Sequence, residues 1–209
     1  MTTIPRVLLL SRTLFFGYFV FYFLCLLRGW FSTDTLNAYW LVYLIGVYAL
    51  AEKIYSAFLK RGVDVVYAFP IVFVAYMVNF ASMLFKGQEN FAFLNRAEHF
   101  ITYILVAYIV WQFFLRYLPQ QVWSEHPYYT SILVLAIATL SGVLNEIIEL
   151  FMDVNFGTHT IGFGFDTSVD LMMNLLGAGF FLCIQLIAHE AVKSGVFRVK
   201  ANPIDKIRG

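Results

Sequence analysis

Residues 142–179 read GVLNEIIELFMDVNFGTHTIGFGFDTSVDLMMNLLGAG, and this stretch decides the fold class. It sets Glu146, Glu149, Asp153, Asp166 and Asp170 beside two strongly apolar runs, with no Lys or Arg between Gly142 and Gly179. An isolated run of this hydrophobicity could be a buried core helix. Two runs flanking a carboxylate-rich turn imply a pair of membrane-crossing helices with their acids near one membrane face. Carboxylates so close to hydrocarbon are costly unless something neutralises them, which marks the stretch as the candidate site.

The rest of the chain agrees with a membrane setting. It is 61% hydrophobic and 13% charged, against about 45–50% and about 25% in an ordinary soluble domain. Its mean hydropathy is +0.75. The 23 Phe and 13 Tyr suit lipid contact and the headgroup belt. A net charge of +1, with no basic patch interleaved with aromatics, gives no reason to expect a nucleic-acid partner. Cys25 and Cys183 lie inside apolar runs, without a CxxC pattern, and read as packing residues.

Working outward, a helix needs about 20 mostly apolar residues to cross the hydrocarbon core. Six stretches meet that rule: 7–30, 36–59, 65–85, 97–118, 129–152 and 168–191. The first could imitate a signal peptide, but it runs too long and lacks a small-residue cleavage site, so it reads as a retained helix. Pro70 should kink the third or sit in its first turn. Lys60-Arg61-Gly62 and Pro119-Gln120-Gln121 read as polar turns. The expectation is an all-α polytopic bundle of about six spans. Residues 1–192 form one transmembrane domain and 193–209 a basic cytoplasmic tail. All Lys and Arg except Arg28, Lys86 and Arg96 then fall on one side, which makes that side cytoplasmic and both termini inside. Asp34, Glu89, Glu98, Glu146, Glu149, Asp153, Asp166 and Asp170 fall on the outer side.

That topology brings three sequence-distant pieces to the outer face: Arg96, Glu98 and His99 opening the fourth span, Asn145, Glu146 and Glu149 closing the fifth, and Asp166, Asp170 and Asn174 opening the sixth. Glu146, Glu149 and Asp153 share one helical face at i, i+3, i+7, and Asp170 shares a face with Asn174 at i, i+4. Gly177, Ala178 and Gly179 would let a neighbouring helix approach closely. Crowded carboxylates need a neutralising partner. The candidates are Arg96, protons, a cationic ligand group, or a divalent metal held by His99, Glu146, Glu149, Asp166 and Asp170. Mixed Glu/Asp and His ligation suits Zn, Mn or Fe, whereas all-oxygen ligation suits Mg or Ca. Plain alternatives stand beside these. Asp166 suits a helix cap, Asp153 a solvated end, and His99 a satisfied interfacial histidine. Of the other histidines, only His159 is placed to add a ligand.

NRAEHFITYILVAY (95–108), NEIIELF (145–151) and FDTSVDLMMNLLGAG (165–179), in that order, resemble VanZ-like membrane proteins. The Asp-Thr-x-x-Asp spacing from Asp166 to Asp170 is closer still to the related YjdF-type inner membrane proteins. The resemblance covers roughly residues 95–179. It implies a bacterial multi-span envelope protein with a polar site on one face, carried by His99, Glu146, Glu149, Asp166, Asp170 and Asn174. VanZ-like chains usually carry Gln where this chain has Glu149, and a basic residue in the following loop, so the glycopeptide tolerance of some of them does not transfer.

Three functions compete. The first is a binding protein of the plasma (inner) membrane, in contact with membrane lipids, that holds a lipid headgroup, antibiotic or cation in envelope maintenance. The second is a metal-dependent membrane hydrolase or transferase acting on a lipid headgroup; the absence of a nucleophile motif such as GxSxG counts against it. The third is a proton- or cation-coupled transporter, which the gathering of the acids at one face disfavours.

Overall fold

The computed structural model describes residues 5–29, 35–84, 91–156 and 165–194. His159, Asp34, Lys86, Glu89 and the tail beyond Ser194 lie outside the described residues. Among the described residues seven helices follow in order: α1 (Arg6–Leu27), α2 (Thr35–Lys60), α3 (Ala68–Leu84), α4 (Phe91–Tyr117), α5 (Gln120–Glu125), α6 (Pro127–Phe156) and α7 (Asp166–Lys193). Among the described residues all regular structure is helical. Five helices are long and apolar enough to cross a membrane, in α1, α2, α4, α6 and α7, and α3 adds a shorter apolar helix. The chain is a polytopic helical membrane bundle.

The expected spans match these helices, with two differences. α4 begins at Phe91, six residues before the apolar run, because Asn95, Arg96 and Glu98 lie inside the bundle end rather than ahead of it. The Pro119-Gln120-Gln121 turn is instead the start of α5, with Pro119 at its N-cap. There Trp123 packs edge-on against Trp111 of α4 at 4.1 Å and near His189 of α7 at 5.0 Å. Pro70 sits in the first turn of α3, where its missing N–H costs nothing.

Helical periodicity, with lipid as the outer solvent, dictates which face each helix turns inward. In α1 the buried positions are Leu8, Ser11, Phe15, Tyr18, Tyr22 and Cys25, one face at alternating three- and four-residue spacing. Outward positions stay apolar too, as at Phe16 (71% exposed) and Ile187 (69%), because no water lies beyond them.

The helices form two groups. In the first, α1 packs on α2 and α3 around aromatic rings: Phe15 lies 4.4 Å from Tyr48, 5.3 Å from Phe73 and 5.4 Å from Tyr76. In the second, α4 packs most extensively on α7, and both touch α6. The α3–α4 contact joins the groups. Gly177 explains the closeness of α4 and α7: a Cβ there would overlap the Phe100 backbone carbonyl. The small-residue run does not act as a unit, since a Cβ on Gly179 would meet nothing within 4 Å.

Side-chain contacts define the two ends of the bundle. At one end Arg12 of α1 meets Glu52 near the end of α2, Arg116 of α4 donates to the Arg61 carbonyl, and α5 lies under α7. At the other, α3 meets the start of α4 through Asn79 and Glu98, and α4, α6 and α7 bring their acids together.

Candidate functional site

Three inward stripes build the site. In α4 the stripe runs His99, Tyr103, Ala107, Trp111; in α6 it runs Glu146, Gly142, Ala138, Val134, Thr130; in α7 it runs Asp170, Asn174, Gly177 or Ala178, Phe181. Each advances by three or four residues, so every member faces the same partners. Each is apolar through the middle and turns polar at the same end. The acids are therefore the terminal layer of the three-helix core. With a rise of about 1.5 Å per residue, His99 lies about 12 Å into α4, and Glu146 about 15 Å from the end of α6.

Glu146 is 7% exposed, Asp170 4% and Asn174 1%. His99 sits between α6 and α7. Its Nδ1 is 3.0 Å from Asn174 Oδ1, and its Nε2 is 3.7 Å from Asp170 Oδ2. Asn95, one turn earlier on α4, points its amide at both Asp170 oxygens at 3.5 Å. Asn145 donates to Glu149 Oε1 at 2.7 Å. One ring nitrogen of His99 and one carboxylate oxygen each from Glu146 and Glu149 all lie within 4.8 Å of one another. The buried Glu146 Oε1 and Asn174 Nδ2 have no hydrogen-bond partner. An unmatched polar atom at that depth is expensive unless a water or a ligand meets it.

The residues singled out in the sequence divide into three groups. His99, Glu146, Glu149, Asp170 and Asn174 come together, with Asn145 bracing Glu149 from the same helix. Glu98 does not join them. It is one residue from His99, hence about 100° away around α4, and turns to α3, where Asn79 donates to it at 3.4 Å. Arg96 and Asp166 stand at the margin. The buried Arg96 Nε is unpartnered, and the guanidinium forms no ion pair among the described residues. Asp166 is the first residue of α7, with Phe165 at the N-cap and no capping side-chain bond, so it meets the positive helix end as a first-turn acid rather than a cap. It is not in the close metal-type set.

Two further residues belong to this layer. Tyr103 follows His99 by one turn and is buried. Gly142 leaves room for it: a Cβ there would lie 3.3 Å from Tyr103 Oη and 3.0 Å from Asn174 Nδ2. In the sequence both look like ordinary span residues; only the His99–Tyr103 spacing of four hints at a shared face.

The arrangement offers one imidazole and three carboxylates at the junction of three helices, with Asn95, Asn145 and Asn174 as neutral hydrogen-bonding supports. Such a set can hold a cationic group, coordinate a metal, or move protons. No curated protein and no solved structure matches the chain. Its family is nonetheless shown by a match that runs from α1 through α7, beyond the last three spans that carry the motifs: over residues 8–191 the chain fits the family described as "Predicted membrane protein (DUF2238)", and it belongs to that family.

Proposed function

We propose that this chain is a binding protein of the bacterial plasma membrane, whose His99, Glu146, Glu149 and Asp170 layer faces the outer leaflet and holds the cationic group of a lipid headgroup, an antibiotic or a free cation in envelope maintenance. The observation that carries the reading is Glu146: a carboxyl group 7% exposed, with one oxygen unmatched, beside two more carboxyl groups. The outward orientation rests on the distribution of Lys and Arg. The bacterial envelope setting rests on the VanZ-like and YjdF-like motifs, whose three segments each contribute to this layer, through His99, through Glu146 with Glu149, and through Asp170.

The test is binding by detergent-purified protein to a panel of zwitterionic and anionic phospholipids, cationic antibiotics and simple cations, read as thermal shift. Wild type should be stabilised by at least one cationic ligand, and Glu146→Gln with Asp170→Asn should abolish the shift. Equal shifts in wild type and in this variant would sink the reading.

The His99–Glu146–Glu149 triad favours a second reading, a metal-dependent hydrolase or transferase acting on a lipid headgroup. A metal bound there would supply an activated water. Asp170, 3.7 Å from His99 Nε2 and braced by Asn95, is placed to take a proton beside it. Turnover in a lipid panel that disappears with Asp170→Asn is the expected result of this reading.

A further inference from the structure

We infer that His99, Glu146 and Glu149 form a binding site for a first-row divalent transition ion of the Zn2+ or Mn2+ type, in which Asn174 orients the histidine. The inference rests on the cluster being a cation site, and goes further by naming the cation and the residue that positions its ligand.

The argument begins with the imidazole. A neutral histidine carries one N–H and one lone pair, and the hydrogen bond made by one nitrogen decides which nitrogen can bind a metal. Asn174 Oδ1 lies 3.0 Å from His99 Nδ1. An amide oxygen only accepts, so it fixes the proton on Nδ1 and leaves the lone pair on Nε2, the nitrogen that faces Asp170. Ligating histidines usually donate their second N–H to an oxygen in this way. Asn174 is 1% exposed and cannot swing out to solvent, and its other end abuts the face of α6 left open by Gly142. The close α4–α7 approach at Gly177, three residues on, holds the pair in register.

The carboxylates complete the set. Glu146 and Glu149, at i and i+3 on α6, each bring an oxygen within 4.8 Å of a His99 ring nitrogen and of one another. Donor atoms bonded at about 2.1 Å to one ion sit about 3–4 Å apart, so side-chain rotations of about an ångström close the triad. The buried Glu146 Oε1 meets no hydrogen-bond partner, so its lone pairs are free to be offered to an ion. Asn145 holds the Oε1 of Glu149 and thereby fixes its carboxylate plane. One imidazole with two carboxylates favours Zn2+ or Mn2+ over Mg2+ and Ca2+, which prefer all-oxygen sets.

The experiment uses full-length protein in detergent, stripped with chelator and titrated with Zn2+, Mn2+, Mg2+ and Ca2+. Metal content is read by mass spectrometry and affinity by calorimetry, with circular dichroism and gel filtration as checks of folding. Saturable, near-stoichiometric binding of Zn2+ or Mn2+ is expected, lost in Glu146→Gln and in Glu149→Gln. Asn174→Leu should weaken affinity by about 10–100-fold, and Asn174→Asp, which still accepts from Nδ1–H, should restore it. Folded wild type that binds neither ion, or a folded Glu146→Gln that binds as well as wild type, overturns the inference. Equal affinities in Asn174→Leu and Asn174→Asp overturn the role of Asn174. Should the metal fail while a cationic organic ligand still binds in a Glu146-dependent way, the inference falls and the binding-protein reading stands. Should a metal bind but no organic ligand, the inference stands and the binding-protein reading narrows to its free-cation form.

Discussion

Two of the places where this bundle puts carboxylates on membrane-crossing helices are treated in opposite ways. Between α1 and α2, Glu52 receives both Nε and Nη2 of Arg12, at 2.8 and 2.7 Å, and the Tyr48 hydroxyl at 2.7 Å. Its charge is matched by a bidentate partner with planar complementarity. Between α4, α6 and α7, Glu146, Glu149 and Asp170 crowd around His99, and the buried Glu146 Oε1 has no hydrogen-bond partner. The first arrangement fastens two helices. The second leaves a buried carboxylate oxygen without a hydrogen-bond partner, which is what a ligand can answer. A carboxylate in a membrane span is therefore informative only together with its partner, since a matched one explains itself as structure.

The comparison can be broken at its scaffold, and the largest effect is expected there. Gly177→Val would drive a side chain into the Phe100 carbonyl and force α4 from α7, costing about 3 kcal/mol or more. Denaturation in mixed micelles should show this loss together with loss of ligand binding, while the α1–α2 pair stays formed. The next effect sharpens the contrast at its matched side. Arg12→Ala should cost about 1–2 kcal/mol, moderated because Arg12 is 40% exposed, and should leave ligand binding at His99 intact.

The same chemical change then separates the two regions by sign. Glu52→Gln should destabilise the protein by weakening the Arg12 contact. Glu146→Gln, measured in chelator, should be neutral or stabilising by up to about 1 kcal/mol, because it removes one charge from a crowded set of carboxylates in which Glu146 Oε1 has no partner. If both substitutions destabilise equally, Glu146 has a structural partner and the contrast dissolves. The smallest effect is Gly179→Ala, which meets nothing within 4 Å and should change stability by less than about 0.5 kcal/mol.

Much of the bundle is legible in the sequence because lipid imposes simple rules. A span must be long, apolar and helical, so residues 142–179 announce two of them with a polar connection. The residues of the candidate layer stand out for a like reason: a carboxylate is conspicuous against hydrocarbon, and i, i+3, i+4 spacing tells which share a face. Packing is less visible. The short α5 is hidden because six residues carry too little periodicity to distinguish a turn from a helix. Glu98 and His99 are neighbours in the chain, yet one turns to α3 and the other to α6 and α7. Gly177 and Gly179 look interchangeable in the sequence, and only Gly177 meets a backbone.

The sequence by itself determined that this is an all-helical membrane chain, with acids near the ends of its fourth, fifth and sixth spans. Those properties follow from hydropathy and helical period, which act along the chain. Only the tertiary structure decided that α4 packs chiefly on α7, that Asn174 holds the His99 ring, and that Glu52 has a bidentate partner while Glu146 Oε1 has none. Partnership of that kind depends on the rotation of each helix about its own axis and on the distance between axes. Both are set by side chains meeting across helices, where sequence separation carries no information.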